Sequence, residues 1–142
     1  MISVEISPGE AYDRMSILII KRNKIKDHDK LCIINQQYHM LEREITDYIN
    51  NDADFSDLCM SDVSELLTEL IRVNTIIWDV EDIVRECESK GNFGQEFIKA
   101  ARTVYHTNDA RHKAKKEIDK LFKSELSEQK EHATYEKDIT IG

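Results

Sequence analysis

Between Val73 and Glu88 the chain carries two stripes rather than one. Asn74, Trp78, Glu81, Arg85 and Glu88 are spaced by alternating fours and threes, which on a helix sets them in a line one position round from the apolar seam. Asp82 flanks that line. Tryptophan is poorly used against water and asparagine is a mediocre helix former, so the stripe is expected to be partly buried. A second line runs Phe97, Ala101, Val104, Asn108, Arg111, Lys115, Ile118 and Phe122, apolar at both ends and polar in the middle. Ile98, Arg102, Tyr105, Asp109 and His112 repeat the design beside it. A seam that turns polar for two turns carries a desolvation cost unless its groups meet partners, water or a ligand.

The chemistry these residue types suit is recognition. Facing each other, the two segments would gather Arg85, Arg102, Arg111 and Lys115 beside Glu81, Asp82 and Asp109, with Trp78 and Tyr105 as flat faces and Asn74 and Asn108 as amides. Seven basic residues stand against four acidic ones between Gln95 and Lys120, in a chain of net charge −8. Guanidinium groups fit phosphate or carboxylate, aromatic faces fit a base, and acids fit ribose hydroxyls or a metal. The expectation is non-catalytic binding, by sensing or sequestration, of a small phosphorylated or nucleotide-derived ligand between the third and fourth helices. Lys21 either reaches this centre or snorkels to water. No catalytic residue, metal ligand or cofactor is assigned.

Two other function classes fit the same residues. In a Mg²⁺-dependent all-helical nucleotide hydrolase, Glu81, Asp82 and Asp109 would hold the ion. The paired E-x-x-E spacing such enzymes need occurs only at Glu125, Glu128 and Glu131. In a homo-oligomeric interaction module, the polar seam would set register between helices. A plainer account treats Glu81 with Arg85, and Asp82 with Arg85, as self-compensating surface pairs and Trp78 as packing. Glu10 and Asp13 are likewise read as cap and helix-terminus charges.

The elements that must carry these residues are helices. Ser7, Pro8 and Glu10 form a capping box that opens the first, whose apolar residues Ala11, Met15, Leu18 and Ile25 mark one face while Ile17 and Ile20 mark another. That helix is expected at the centre of the fold. A break near Asp27 or Asp29 leads to a heptad seam of Leu31, Ile34, Tyr38, Leu41, Ile45 and Tyr48. The loop from Asn50 is pinned by Phe55 and Leu58, Ser61 caps the third helix, and the glycines of SKGNFG end it. The fourth begins between Phe93 and Gln95 and runs to Phe122 or beyond. The expected fold is all-α, an antiparallel bundle of about four long helices. Short terminal strands are expected from the alternation of Ile2, Val4 and Ile6 and of Ile139 and Ile141, with 124–142 forming a polar arm.

Composition bounds the rest. The 142 residues suit one domain, and 40% hydrophobic with 34% charged residues, one proline and four glycines suit long helices. The acidic balance argues against DNA or an anionic membrane as partner. Cys32, Cys59 and Cys87 form neither a C-x-x-C site nor an even disulfide set, which suits a reducing cytoplasm. The five histidines have no metal-ligand spacing, no apolar run reaches the roughly 18–20 residues needed to span a bilayer, and no leader or phosphate-loop motif occurs.

SPGEAYDRMSILIIKRNKI, VNTIIWDVED and FIKAARTVYHTNDARHKAKKEID together resemble the signatures of a family of small bacterial and phage proteins classed as a domain of unknown function, number 6165. The resemblance spans nearly the whole chain and implies no established activity. It implies that Glu10, Asp13, Lys21, Asn74, Trp78, Glu81, Asp82, Arg85, Arg102, Tyr105, Asn108, Asp109, Arg111 and Lys115 fall in the family's motif blocks. Its phage members make a counter-defence role by ligand sequestration one form the binding function would take.

Overall fold

A computed structural model describes residues 1–124 and 129. Four helices follow one another: α1 (Pro8–Lys24), α2 (His28–Asn50), α3 (Met60–Lys90) and α4 (Gln95–Leu121), with a single 3-10 turn at Ala53–Phe55. The capping residues set the boundaries. The Ser7 hydroxyl accepts from the Glu10 N–H at 3.2 Å with Pro8 in the first turn, and the Asp27 carboxylate accepts from the Lys30 N–H at 3.0 Å. Gly91 closes α3 with a left-handed φ of 64°, a conformation that costs glycine nothing. The start of α3 differs from expectation. Cys59, not Ser61, is its N-cap residue, and it makes no side-chain capping bond.

The N-terminal strand does not form. Residues 1–7 have no regular structure, and Ile2 and Val4 are 93% and 69% exposed. A strand needs a ladder partner, and the described residues contain no other strand to supply one. The C-terminal alternation at Ile139 and Ile141 lies outside the described residues, as does most of the 124–142 arm.

α1 is the central element, packing against all three other helices, whereas α2 packs along α1 and not along α3 or α4. Only Ile34 of the α2 seam is fully buried. The core lies at one end of the bundle, where Tyr12, Val63, Leu70, Ala114, Ile118 and Phe122 cluster with Ile45 and Ile49 from the end of α2. Phe55 and Leu58 fold the interhelical loop onto it, the Phe55 ring lying 5.2 Å from Phe122 and 4.9 Å from Tyr48. Aromatic pairs at such spacings stabilise beyond simple burial. From this end α1 crosses the α3–α4 pair obliquely, starting with Gly9 against Lys115 and Asp119 of α4 and ending with Lys24 3.6 Å from Asp79 of α3.

Candidate functional site

The polar middle of α4 is answered first by α1. Asp13, 1% exposed, accepts two bonds from the Arg111 guanidinium, from Nε at 2.8 Å and Nη2 at 2.5 Å. The Asn74 amide donates to the same carboxylate at 2.9 Å and to the buried Ser16 hydroxyl at 2.7 Å, and Ser16 donates to the Asp13 carbonyl at 2.6 Å. One turn further, Lys115 reaches Glu10 at 2.7 Å with its own side chain 6% exposed. The last rung is Asp119, whose carboxylate accepts from the Gly9 N–H at 2.7 Å and takes a bond from the Ser7 side chain. α1 and α4 are thus laced by an antiparallel ladder that matches positions 119, 115 and 111 to 9, 10 and 13.

This corrects the capping assignment of Glu10 and Asp13. The Glu10 carboxylate serves Lys115 and, at 3.2 Å, Arg14, while Asp13 lies inside the bundle. The half-buried Arg111 guanidinium and the buried Lys115 ammonium require opposed charge, and carboxylates on the facing helix supply it.

Asp119 responds to the same burial. Desolvation pushes its carboxyl above the ordinary value, partly offset by the Gly9 and Ser7 bonds and by Lys115. A carboxyl raised in the folded state contributes stability that is present below its unfolded value, near 3.8, and is lost as pH rises through the folded one. Asn at this position cannot titrate. Relative to wild type, Asp119→Asn should therefore gain stability progressively from about pH 3.5 toward pH 7 in urea melts. A constant or opposite difference would show that burial does not dominate this carboxyl.

Beyond the ladder, toward the α3–α4 turn, lies a cleft of about 320 Å³, a size within the range of small-ligand sites. Ile17 and Ile20 of α1 and Ile77 of α3 give it apolar walls. Trp78, Glu81, Asp82 and Arg85 line it from α3, and Asn74 and Arg111 border it on the side of the ladder. The α3 stripe is therefore brought together as one surface, with Trp78 half-buried and Glu81, Asp82 and Arg85 exposed. Arg85 stands 4.0 Å from Glu81, an exposed pair of the helical i, i+4 kind.

The cleft is not where the sequence reading put it. It lies between α1 and α3 with one arginine from α4, rather than between α3 and α4 alone. α1 packs against both α3 and α4, and its Ile17 and Ile20 form part of the lining. Of the expected residues, Lys21, Arg102, Tyr105, Asn108, Asp109 and Lys115 do not line it. Lys115 is committed to Glu10, and Tyr105 stacks near His106 with ring centroids 4.8 Å apart.

Sequence reasoning passed over Ile17, Ile20 and Ile77 as lining and Asp13 and Ser16 as network members. A usable signal was present. Glu10, Asp13, Ile17 and Ile20 form a three-four line of their own, acidic then apolar, whose charged half complements Lys115 and Arg111 read in the opposite chain direction.

Among the described residues no three His, Cys, Asp or Glu side chains cluster as metal ligands would, so Glu81, Asp82 and Asp109 are not assembled around a common point. The described cysteines are free, with Cys87 buried in the α3–α4 pair. No described helix is long and apolar enough to cross a membrane.

No curated protein and no solved structure matches the chain. A family model does: it matches residues 2–140, nearly the whole chain, and so covers the α1–α4 ladder and every residue that lines the cleft. The chain therefore belongs to the family of unknown function DUF6165.

Proposed function

We propose that this chain binds, without transforming, a small planar ligand in the α1–α3 cleft, of the size and chemistry of a nucleoside or nucleoside monophosphate. The observation that carries this reading is the pairing of an indole wall with a guanidinium held in place. Trp78 lines an isoleucine-floored cleft, and Arg111 borders it with its orientation fixed by two bonds to buried Asp13. A preorganised arginine loses little entropy on meeting an anionic group, and an indole face accepts any flat heterocycle. Glu81 and Asp82 are positioned on the same lining to accept from ribose hydroxyls.

Charge narrows the ligand. Among the described residues, Arg85 and Arg111 are the cationic side chains on the lining, against Glu81 and Asp82, while Asp13 pairs with Arg111. Lys115 and Arg102, which a polyphosphate would need, are not part of it. One phosphate is accommodated by this balance and three are not. Such a protein would act by sensing or sequestering its ligand.

Trp78 is the sole tryptophan, so its fluorescence reports this cleft alone. Titration with nucleosides and nucleoside monophosphates should give saturable quenching, with the triphosphate weaker than the monophosphate. Trp78→Ala, followed by calorimetry because the fluorophore is gone, should weaken binding by about 1–3 kcal/mol, the usual contribution of base stacking on an aromatic ring. Unchanged affinity in Trp78→Ala would remove the cleft from the account.

A further inference from the structure

The side-chain amide of Asn74 fits its surroundings in one orientation. Asn74 is 6% exposed, and its Nδ2 donates both to the Asp13 carboxylate at 2.9 Å and to the Ser16 hydroxyl at 2.7 Å. Turning the amide over would set its Oδ1 against a carboxylate, two acceptors in contact, so the nitrogen has to face α1. Ser16 does not reverse that choice, because its own hydrogen goes to the Asp13 carbonyl at 2.6 Å. An amide held at both hydrogens inside a buried network does not turn to suit a ligand.

The network leaves the carbonyl oxygen over. Among the described residues no donor meets the Asn74 Oδ1, and it is not one of their sealed, unbonded polar atoms, so it faces the cleft that Asn74 lines. Its neighbours there are Ile17 and Ile20, on the part of α1 that follows Asp13 and Ser16. The Arg111 guanidinium bonds the same Asp13 oxygen as the Asn74 amide, which sets a fixed acceptor beside a fixed cation at the ladder end of the cleft. Glu81 and Asp82 are exposed and free to swing, whereas Asn74 is not.

We infer that Asn74 is the specificity-determining residue of the cleft: its fixed carbonyl accepts from the exocyclic amine of a heterocycle and so selects amino-bearing bases over their keto counterparts. This rests on the reading of the cleft as a site for a nucleoside-sized ligand. An amine offers the oxygen an N–H, whereas a keto group in the same place sets two acceptors together. Rotation of the amide does not rescue the keto ligand, because it would strip a buried carboxylate and hydroxyl of their donor. A site built to bond a ligand N–H rejects the ligand that lacks it, since a buried polar group is then left unpaired.

The test uses the full chain, calorimetry and Trp78 quenching, with two pairs of ligands that differ as amine against keto: adenosine against inosine monophosphate, and cytidine against uridine monophosphate. The amino member of at least one pair should bind about tenfold or more tighter than its keto partner, the scale of one hydrogen bond gained and one clash of acceptors avoided. Asn74→Ala, its fold checked by circular dichroism and melting, should bind both members of that pair alike. The wild-type comparison decides the matter even where that variant does not fold. Equal binding of amino and keto members, or tighter binding of the keto ones, would overturn the inference and leave the nucleotide cleft standing. Discrimination that survives in folded Asn74→Ala would overturn it too. Binding of none of these ligands would remove the underlying reading of the cleft, and this inference with it.

Discussion

Gly9→Ala should destabilise the protein by about 1–3 kcal/mol, the range for forcing extra atoms into a packed contact. The sign is the informative part. Within a helix, exchanging glycine for alanine ordinarily stabilises by up to about 1 kcal/mol. At Gly9 an added Cβ would run into the Lys115 carbonyl and lie 2.8 Å from the Asp119 carboxylate. Both are fixed in place, the carbonyl by the helix and the carboxylate by its bond from the Gly9 N–H. The first turn of α1 would have to lift off α4, straining the Asp119, Glu10 and Asp13 contacts together. Urea denaturation of the Gly9→Ala protein checks this. A stabilised variant would mean that α1 and α4 are not in backbone contact at this crossing.

Arg111→Leu is expected to cost more, about 3–5 kcal/mol, the range for breaking a buried ion pair and stranding one charge. Asp13 is 1% exposed and, among the described residues, would keep the Asn74 amide as its side-chain partner from another helix. Asp13→Leu with Arg111→Leu should recover a large part of the loss, since neither charge is then left buried alone. Chemical denaturation of the two singles and the double closes the cycle. Strict additivity would contradict a direct pair. The cleft adds a second readout. Arg111→Leu should also lose ligand affinity, whereas Gly9→Ala, acting at the far end of α1, should lose stability first.

The helices were legible because their signals are local. Ser7 with Pro8, Asp27 as a cap and Gly91 as a stop act within a few residues, and α3 and α4 carry unbroken three-four seams. The central place of α1 was legible too, because Ile17 and Ile20 are apolar on a second face. Ser61 has a capping side chain, but α3 starts from Cys59 without a capping side-chain bond, because a helix can start on backbone geometry alone. Ile2, Val4 and Ile6 alternate like a strand, but alternation cannot supply a ladder partner.

The lining of the candidate cleft was legible as a stripe and not as a place. Trp78, Glu81, Asp82 and Arg85 stand together because one helix suffices to align them. Which groups of α4 join them depends on the angle at which α1 crosses, and no local pattern encodes that angle. Arg111 and Lys115 look alike in the α4 seam, yet the crossing sets one at the edge of the cleft and buries the other against Glu10. Asp13 and Glu10 were misread for the same reason: near a helix start, an acid that caps and an acid that receives a cation from another helix have the same local sequence.

The most direct test of the account is a map of where a small ligand binds. Amide shifts of the ¹⁵N-labelled protein should be followed while adenosine monophosphate, and then other nucleoside monophosphates, are added to millimolar concentration. The account predicts saturable changes grouped on Ile17, Ile20, Asn74, Ile77, Glu81 and Arg111, and on the indole N–H of Trp78, with α2 silent. Saturable changes centred elsewhere, or none with any nucleoside monophosphate while the cleft residues are assigned and folded, would contradict it.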